Sequence, residues 1–206
     1  IAGAIAGIVM NSTIKNCHVK GMITTEDYVG GLVGKSYETI FENVSFEGDM
    51  LGDEYIGGIV GLMDKTNVTN AYTKVNMIGH YSSGGLVGVA TNGSIISNSY
   101  SESTVEGENN TGGLIGALDG GIWFSSSNEP SIVSNSHAKG IVIGEYDTGG
   151  LIGKIINSTV HDSYAEGTVI GKIKDTGGLI GRAKEGVIIY NSYAEVNVEG
   201  EDWVGG

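Results

Sequence analysis

Tyr72, Tyr100, Tyr164 and Tyr193, with His18 and His137, form a single series in the amino-acid sequence. Ser45 fills the remaining place, and members follow one another at steps of 27 to 37 residues. Rings brought into one line on a protein surface offer apolar faces that match the C–H face of a sugar, which is one way to build a carbohydrate-binding strip. The same line serves equally well as an aromatic ladder that only steadies a sheet. Acidic or polar turns recur as well, at Glu26-Asp27, Asp53-Glu54, Glu108-Asn109, Glu145 with Asp147, Asp175, and Glu201-Asp202. Stacked carboxylates are candidate ligands for Ca2+, which takes roughly six to eight oxygens. The Gly-Gly-x-Gly-x-Asp phrase of Ca2+-binding β-rolls is missing, and a solvated acidic edge is the competing reading.

Hydrolytic chemistry needs carboxylates that converge on a basic or metal-bound partner. Here the acids fall on those turns or in a regular charge series, and Arg182, the only arginine, has no evident carboxylate partner. The Gly-Gly-x-x-Gly phrase is no phosphate loop, because it recurs along the whole chain and opens no helix. No catalytic residue is expected. Cys17 is the only cysteine and can close no internal disulfide; its place in the pattern predicts a small buried residue rather than a reactive thiol.

A formal net charge of −13, with 11 Lys and Arg against 24 Asp and Glu, argues against nucleic acid and anionic membrane surfaces as partners. No apolar run of about 18 residues is present, so no membrane-inserting segment is expected. With 36 Gly and one Pro the chain resembles a linker, yet 40% of it is hydrophobic, enough to build a core.

The elements that position these residues are set by a repeat. Gly-Gly-Leu/Ile-Val/Ile-Gly begins at Gly30, Gly57, Gly84, Gly112, Gly149 and Gly177, with a worn copy at Gly3 and a truncated one at Gly205. A second landmark keeps phase with it: Asn16, Asn43, Asn70, Asn98, Asn135, Asp162 and Asn191, each 14 or 15 residues before the next Gly-Gly. Around each landmark, apolar and polar residues alternate with the period of a half-buried strand. Gly at this density would cost a helix about 1 kcal/mol per site. The expected fold is therefore all-β: a right-handed parallel β-helix (β-solenoid) of about seven coils of 27–28 residues, with three short strands per coil. Residues 1–206 are expected to form one domain cut from a longer array, with an insertion loop at about 117–130 that carries Trp123, Phe124 and the only Pro. That Trp-Phe pair is a candidate partner anchor, or a flap folded back over a sheet.

Gly-Gly-Leu-Val-Gly followed by Asn-Ser-Tyr-Ala-Glu and Val-x-Gly resembles the GLUG-motif repeat over essentially the whole chain. That family occurs in bacterial and archaeal surface proteins and adhesins, and beside the catalytic domain of IgA1-specific metallopeptidases. The resemblance implies an extracellular, surface-displayed module without a defined ligand and without catalytic residues. The His-Glu-x-x-His of such a peptidase is absent, since His18, His80, His137 and His161 precede Val, Tyr, Ala and Asp.

In a solenoid the unit of function is the column, one residue per coil. The Asn landmark is expected to form an internal amide ladder broken only at Asp162. Lys20, Glu47, Lys74, Glu102, Lys139, Glu166 and Glu195 alternate in sign through Glu166 and should oppose a one-coil slip. Sequons at Asn11, Asn43, Asn67, Asn92, Asn109 and Asn157 are candidate glycosylation sites. Expected partners are further repeats or domains of the same longer chain, a glycan or a cell-surface protein, or like subunits stacked end to end. Two roles stay open: an adhesin-like binding module, or a purely structural spacer or filament subunit.

Overall fold

The computed structural model describes residues 1–120 and 129–206; the Trp123-Phe124 anchor lies outside the described residues. Within them every paired strand is parallel, and there is no helix. The coil that ends at Gly112 illustrates the unit: Val87–Thr91, Ile95–Ser97, Tyr100–Glu106 and Asn109–Gly112. There are four segments rather than three, because the Asn landmark turns the chain within the Ile-x-Asn-Ser-Tyr stretch. Its tyrosine side continues straight into the Thr-Val stretch, and a separate short segment then leads into Gly-Gly. First segments stack as a seven-stranded sheet and the remainder as a sixteen-stranded one. The strand spacing of about 4.8 Å gives seven coils a length near 35 Å.

Chain direction changes at three corners, and each is a column. Every non-glycine described residue in the left-handed region belongs to one of them. The first holds Asn11, Glu38, Lys65, Asn92, Asn157 and Glu185; the second is the Asn landmark itself; the third holds Tyr28, Tyr55, Ser82, Asn110, Asp147, Asp175 and Trp203. Asn and Asp accept this conformation at low cost because their short polar side chains bond locally, and that explains the landmark.

The expected amide ladder is thereby relocated. The landmark side chains stand exposed at a corner with φ of 46–55°, and amide bonds link two pairs among the described residues. Asn43 Nδ2 donates to Asn16 Oδ1 at 2.6 Å, and Asn191 Nδ2 to Asp162 Oδ1 at 3.1 Å. The interior ladder is made of hydroxyls instead. Ser136 Oγ donates to the Ser134 carbonyl in its own coil at 2.8 Å and accepts the Ser99 N–H of the preceding coil at 3.2 Å. Ser99 and Ser163 repeat the arrangement, and a second such column runs through Thr39, Thr66, Ser131 and Ser158. Removing one buried hydroxyl leaves a backbone N–H without a partner, which costs about 1–3 kcal/mol. Ser136→Ala should therefore lower the urea midpoint with an unchanged slope; an unaltered midpoint would show the hydroxyl to be dispensable.

Between these ladders lie apolar columns, of which Leu32, Ile59, Leu86, Leu114 and Leu151 form one and Phe41, Val68, Ile96, Val133 and Val160 another, all fully buried. Burial of each such side chain contributes about 1.5–3 kcal/mol. Cys17 heads the Ser99 column in the first coil, where it is half-buried and its Sγ donates to the Lys15 carbonyl.

Candidate functional site

The long third segment carries the aromatic series on its outer side. Register places Tyr72, Tyr100, His137, Tyr164 and Tyr193 directly beside one another in five successive coils. Ring centroids are 4.6 Å apart for Tyr72–Tyr100, 5.0 Å for Tyr100–His137, 4.6 Å for His137–Tyr164 and 5.0 Å for Tyr164–Tyr193. In the last three contacts the rings are stacked and nearly parallel, with interplanar angles of 7°, 2° and 3°. This geometry has a chemical consequence: each inner ring has its two faces covered by its neighbours, and only ring edges point outward. His18 stands apart from the stack, sharing a 2.8 Å hydrogen bond with Ser45 Oγ.

Burial of its imidazole holds the His137 pKa below the ordinary histidine value, against the pull of Glu166 and Glu102. Burial likewise raises the phenols of Tyr72 and Tyr164. For His137 the folded state disfavours the proton relative to the unfolded chain. Its contribution is complete above the unfolded pKa of about 6.5 and is lost as pH falls through that value toward the lower folded pKa. Replacing it with the residue its neighbours use, His137→Tyr, should flatten that part of the stability profile. Denaturation midpoints of the two proteins from pH 8 to pH 5 should diverge on the acid side; parallel curves would contradict the assignment.

Beside the rings, the charge series is in register throughout, with Lys20 to Glu47 at 2.7 Å and Lys139 to Glu166 at 3.4 Å. Exposed pairs of this kind are worth roughly 0.2–1 kcal/mol each, so they refine register more than they hold the fold. A second ring stack, His161–Tyr190 at 4.9 Å, lies one residue before the landmark, and a third, Tyr28–Tyr55 at 5.0 Å, lies in the third corner. Sequence reasoning missed both. The signal was present as a repeat-spaced aromatic pair in each case, but each series runs only two coils.

The acidic turns do not converge. Asp53 takes His80 Nδ1 at 2.8 Å, whereas Asp147 and Asp175 flank Arg182 Nη1 at 3.6 and 3.5 Å. Arg182 therefore has two carboxylate partners, invisible in sequence because they lie in two different coils. Burial raises the Asp147 pKa, and Arg182 opposes the shift. Among the described residues no group of three or more His, Cys, Asp or Glu is placed to hold a metal ion. Of the carboxylates expected to form a Ca2+ edge, Asp53, Asp147 and Asp175 are engaged in these side-chain pairs. Of the sequons, Asn11, Asn43 and Asn67 are exposed, and Asn109 and Asn157 are half-buried. Asn92 is fully buried and its Nδ2 donates to Asp64 Oδ2 at 2.9 Å, so the folded chain has no room for a glycan there.

These features define a parallel β-solenoid repeat protein. More particularly, the chain carries the GLUG motif: the model of that motif matches residues 79–106 and 144–170. Each match runs from the Gly-Gly approach that closes one coil through the first three segments of the next. Among solved structures, the chain is similar in fold to a protein from Bacteroides ovatus described as "a putative immunoglobulin A1 protease". The TM-score is 0.62 at 19% identity, over 92% of this chain and 67% of that one. No curated protein matches the sequence. Two stretches of this solenoid therefore match the GLUG motif.

Proposed function

We propose that the chain is a non-catalytic module of a cell-surface or secreted adhesin-like protein, in which it acts as a rigid spacer that displays other domains. The observation that carries this reading is the face-to-face ring column. A strip that bound sugars along the rod would present ring faces to solvent, whereas Tyr100, His137 and Tyr164 turn theirs onto one another. The hydroxyls of the Ser99 and Thr39 columns and the outer Lys/Glu series are likewise engaged between coils, which is what length and stiffness require. The repeat's resemblance to GLUG surface proteins supports the extracellular setting. The partners are then neighbouring repeats or domains of the same longer chain, or like modules end to end.

The test is a glycan-array screen of the chain beside a variant with Tyr72, Tyr100, Tyr164 and Tyr193 replaced by Ala. A spacer gives the same pattern with both proteins. Binding that vanishes in a folded variant would instead establish the Tyr/His column as a carbohydrate strip and overturn the spacer reading.

A further inference from the structure

Stacking that hides ring faces from solvent also sets reactive carbons opposite one another. Tyr164 and Tyr193 are register partners in adjacent coils, with ring centroids 5.0 Å apart and planes within 3° of parallel. That separation is close to the strand spacing of about 4.8 Å, so both side chains share one orientation and each ortho carbon lies over its counterpart. Tyr193 is 50% exposed, which lets a small oxidant reach it and lets its ring swing toward Tyr164. Tyr81, Tyr146 and Tyr190 are nearly as exposed, at 47%, 40% and 47%, but none has a tyrosine beside it. Their register neighbours are Glu54 and Asn109, Asn109 and Lys174, and His161. Tyr72 and Tyr100 do adjoin, at 4.6 Å, but a 38° tilt takes their ortho carbons out of opposition, and the Tyr72 hydroxyl donates to Glu102 Oε2 at 3.5 Å. Tyr28 and Tyr55 are inclined by 28°, with Lys35 Nζ 3.3 Å above the Tyr28 ring.

We propose that Tyr164 and Tyr193 form an oxidative cross-linking site, at which hydrogen peroxide and a haem peroxidase convert the pair to dityrosine. Each phenol gives up one electron and one proton, and the unpaired spin of the resulting phenoxyl radicals is shared with their ortho carbons. One ortho carbon of each ring joins the other, and the hydrogens those carbons carried move to the phenolic oxygens, which restores both aromatic rings. Overall, two tyrosines and one hydrogen peroxide become one dityrosine and two waters. Rings held together in one chain couple intramolecularly, which favours this bond over collision between chains. The new bond ties two coils together along the rod axis. The site rests on ring geometry and stands whether or not the chain serves as a spacer.

The chain and its Tyr193→Phe and Tyr190→Phe variants should be oxidised with hydrogen peroxide and a haem peroxidase, digested with trypsin and analysed by mass spectrometry. Cleavage after Lys154, Lys172 and Lys184 places Tyr164 in 155–172 and Tyr193 in 185–206. The expected product is these two peptides joined, at their summed mass less two hydrogens, with a yield per chain that does not change on dilution. Tyr190→Phe should retain it. Tyr193→Phe keeps the ring and hence the stack, so its circular dichroism should match that of the parent while the joined peptide is lost. The inference is overturned if the joined peptide is absent from the parent, if it persists in Tyr193→Phe or vanishes in Tyr190→Phe, or if its yield falls with dilution, which would place the bond between chains.

Discussion

Gly153→Ala is expected to lower stability by about 3 kcal/mol, the upper end of what an overpacked core methyl usually costs. Gly153 is the last residue of one Gly-Gly-Leu-Ile-Gly phrase and has a negative φ, so conformational freedom is not the reason it is glycine. The reason is proximity. A Cβ there would stand 2.5 Å from the Asn110 carbonyl carbon, 2.6 Å from the Thr111 nitrogen and 2.7 Å from the Asp147 carbonyl oxygen. All three are backbone atoms of the fourth segments packed against it, and backbone held in two parallel ladders cannot give way as a side chain would. Gly61, Gly88, Gly116 and Gly181 meet the same wall at 2.5–2.7 Å. Gly21 is the control: a Cβ there has nothing within 4 Å, and Gly21→Ala should be neutral or stabilising by up to about 1 kcal/mol. For a chain of this size 3 kcal/mol corresponds to a Tm fall of roughly 6–12 °C. Equal melting temperatures for the two variants would remove close packing as the cause of the motif.

The opposite sign is expected for the triple variant Thr111→Val, Thr148→Val and Thr176→Val. With Ser83 these threonines form one buried column, and their hydroxyl oxygens have no hydrogen-bond partner. Each oxygen faces a glycine of the Val-x-Gly stretch instead: Thr111 meets Gly107, Thr148 meets Gly144 and Thr176 meets Gly171. A buried hydroxyl without a partner costs about 1–3 kcal/mol relative to an apolar isostere. The chain already places Val29, Ile56 and Val204 in the same column, with Val29 against Gly52, so the extra methyl fits the site. The three changes together should raise Tm by about 5 °C or more. A fall would mean that the hydroxyls bond in the native protein.

Much of this was legible in the residues. Two phase-locked landmarks placed every coil, and the ring and charge columns read from them are register columns. What stayed hidden follows from how a solenoid encodes its parts. The Asn landmark was visible, but its cause was not: the same residue type suits an amide ladder and a left-handed corner, and only φ separates them. The third corner had no signature at all, because Tyr28, Ser82, Asn110, Asp147 and Trp203 share a backbone conformation and little chemistry. Stacking of the Tyr72–Tyr193 rings could be read from spacing, yet whether faces or edges meet the solvent could not.

A spacer made of interchangeable coils should survive the loss of one. Excision of residues 57–83, one 27-residue period that joins Ile56 to Gly84, is the most direct test, with circular dichroism and urea unfolding set against an excision of residues 64–83 that breaks the phase. The account predicts that the 27-residue excision keeps a parallel-strand spectrum and one cooperative transition at moderately reduced stability, while the shorter excision unfolds the chain. If the in-phase excision also unfolds it, or if both fold equally well, the coils are not the equivalent units on which the proposed role depends.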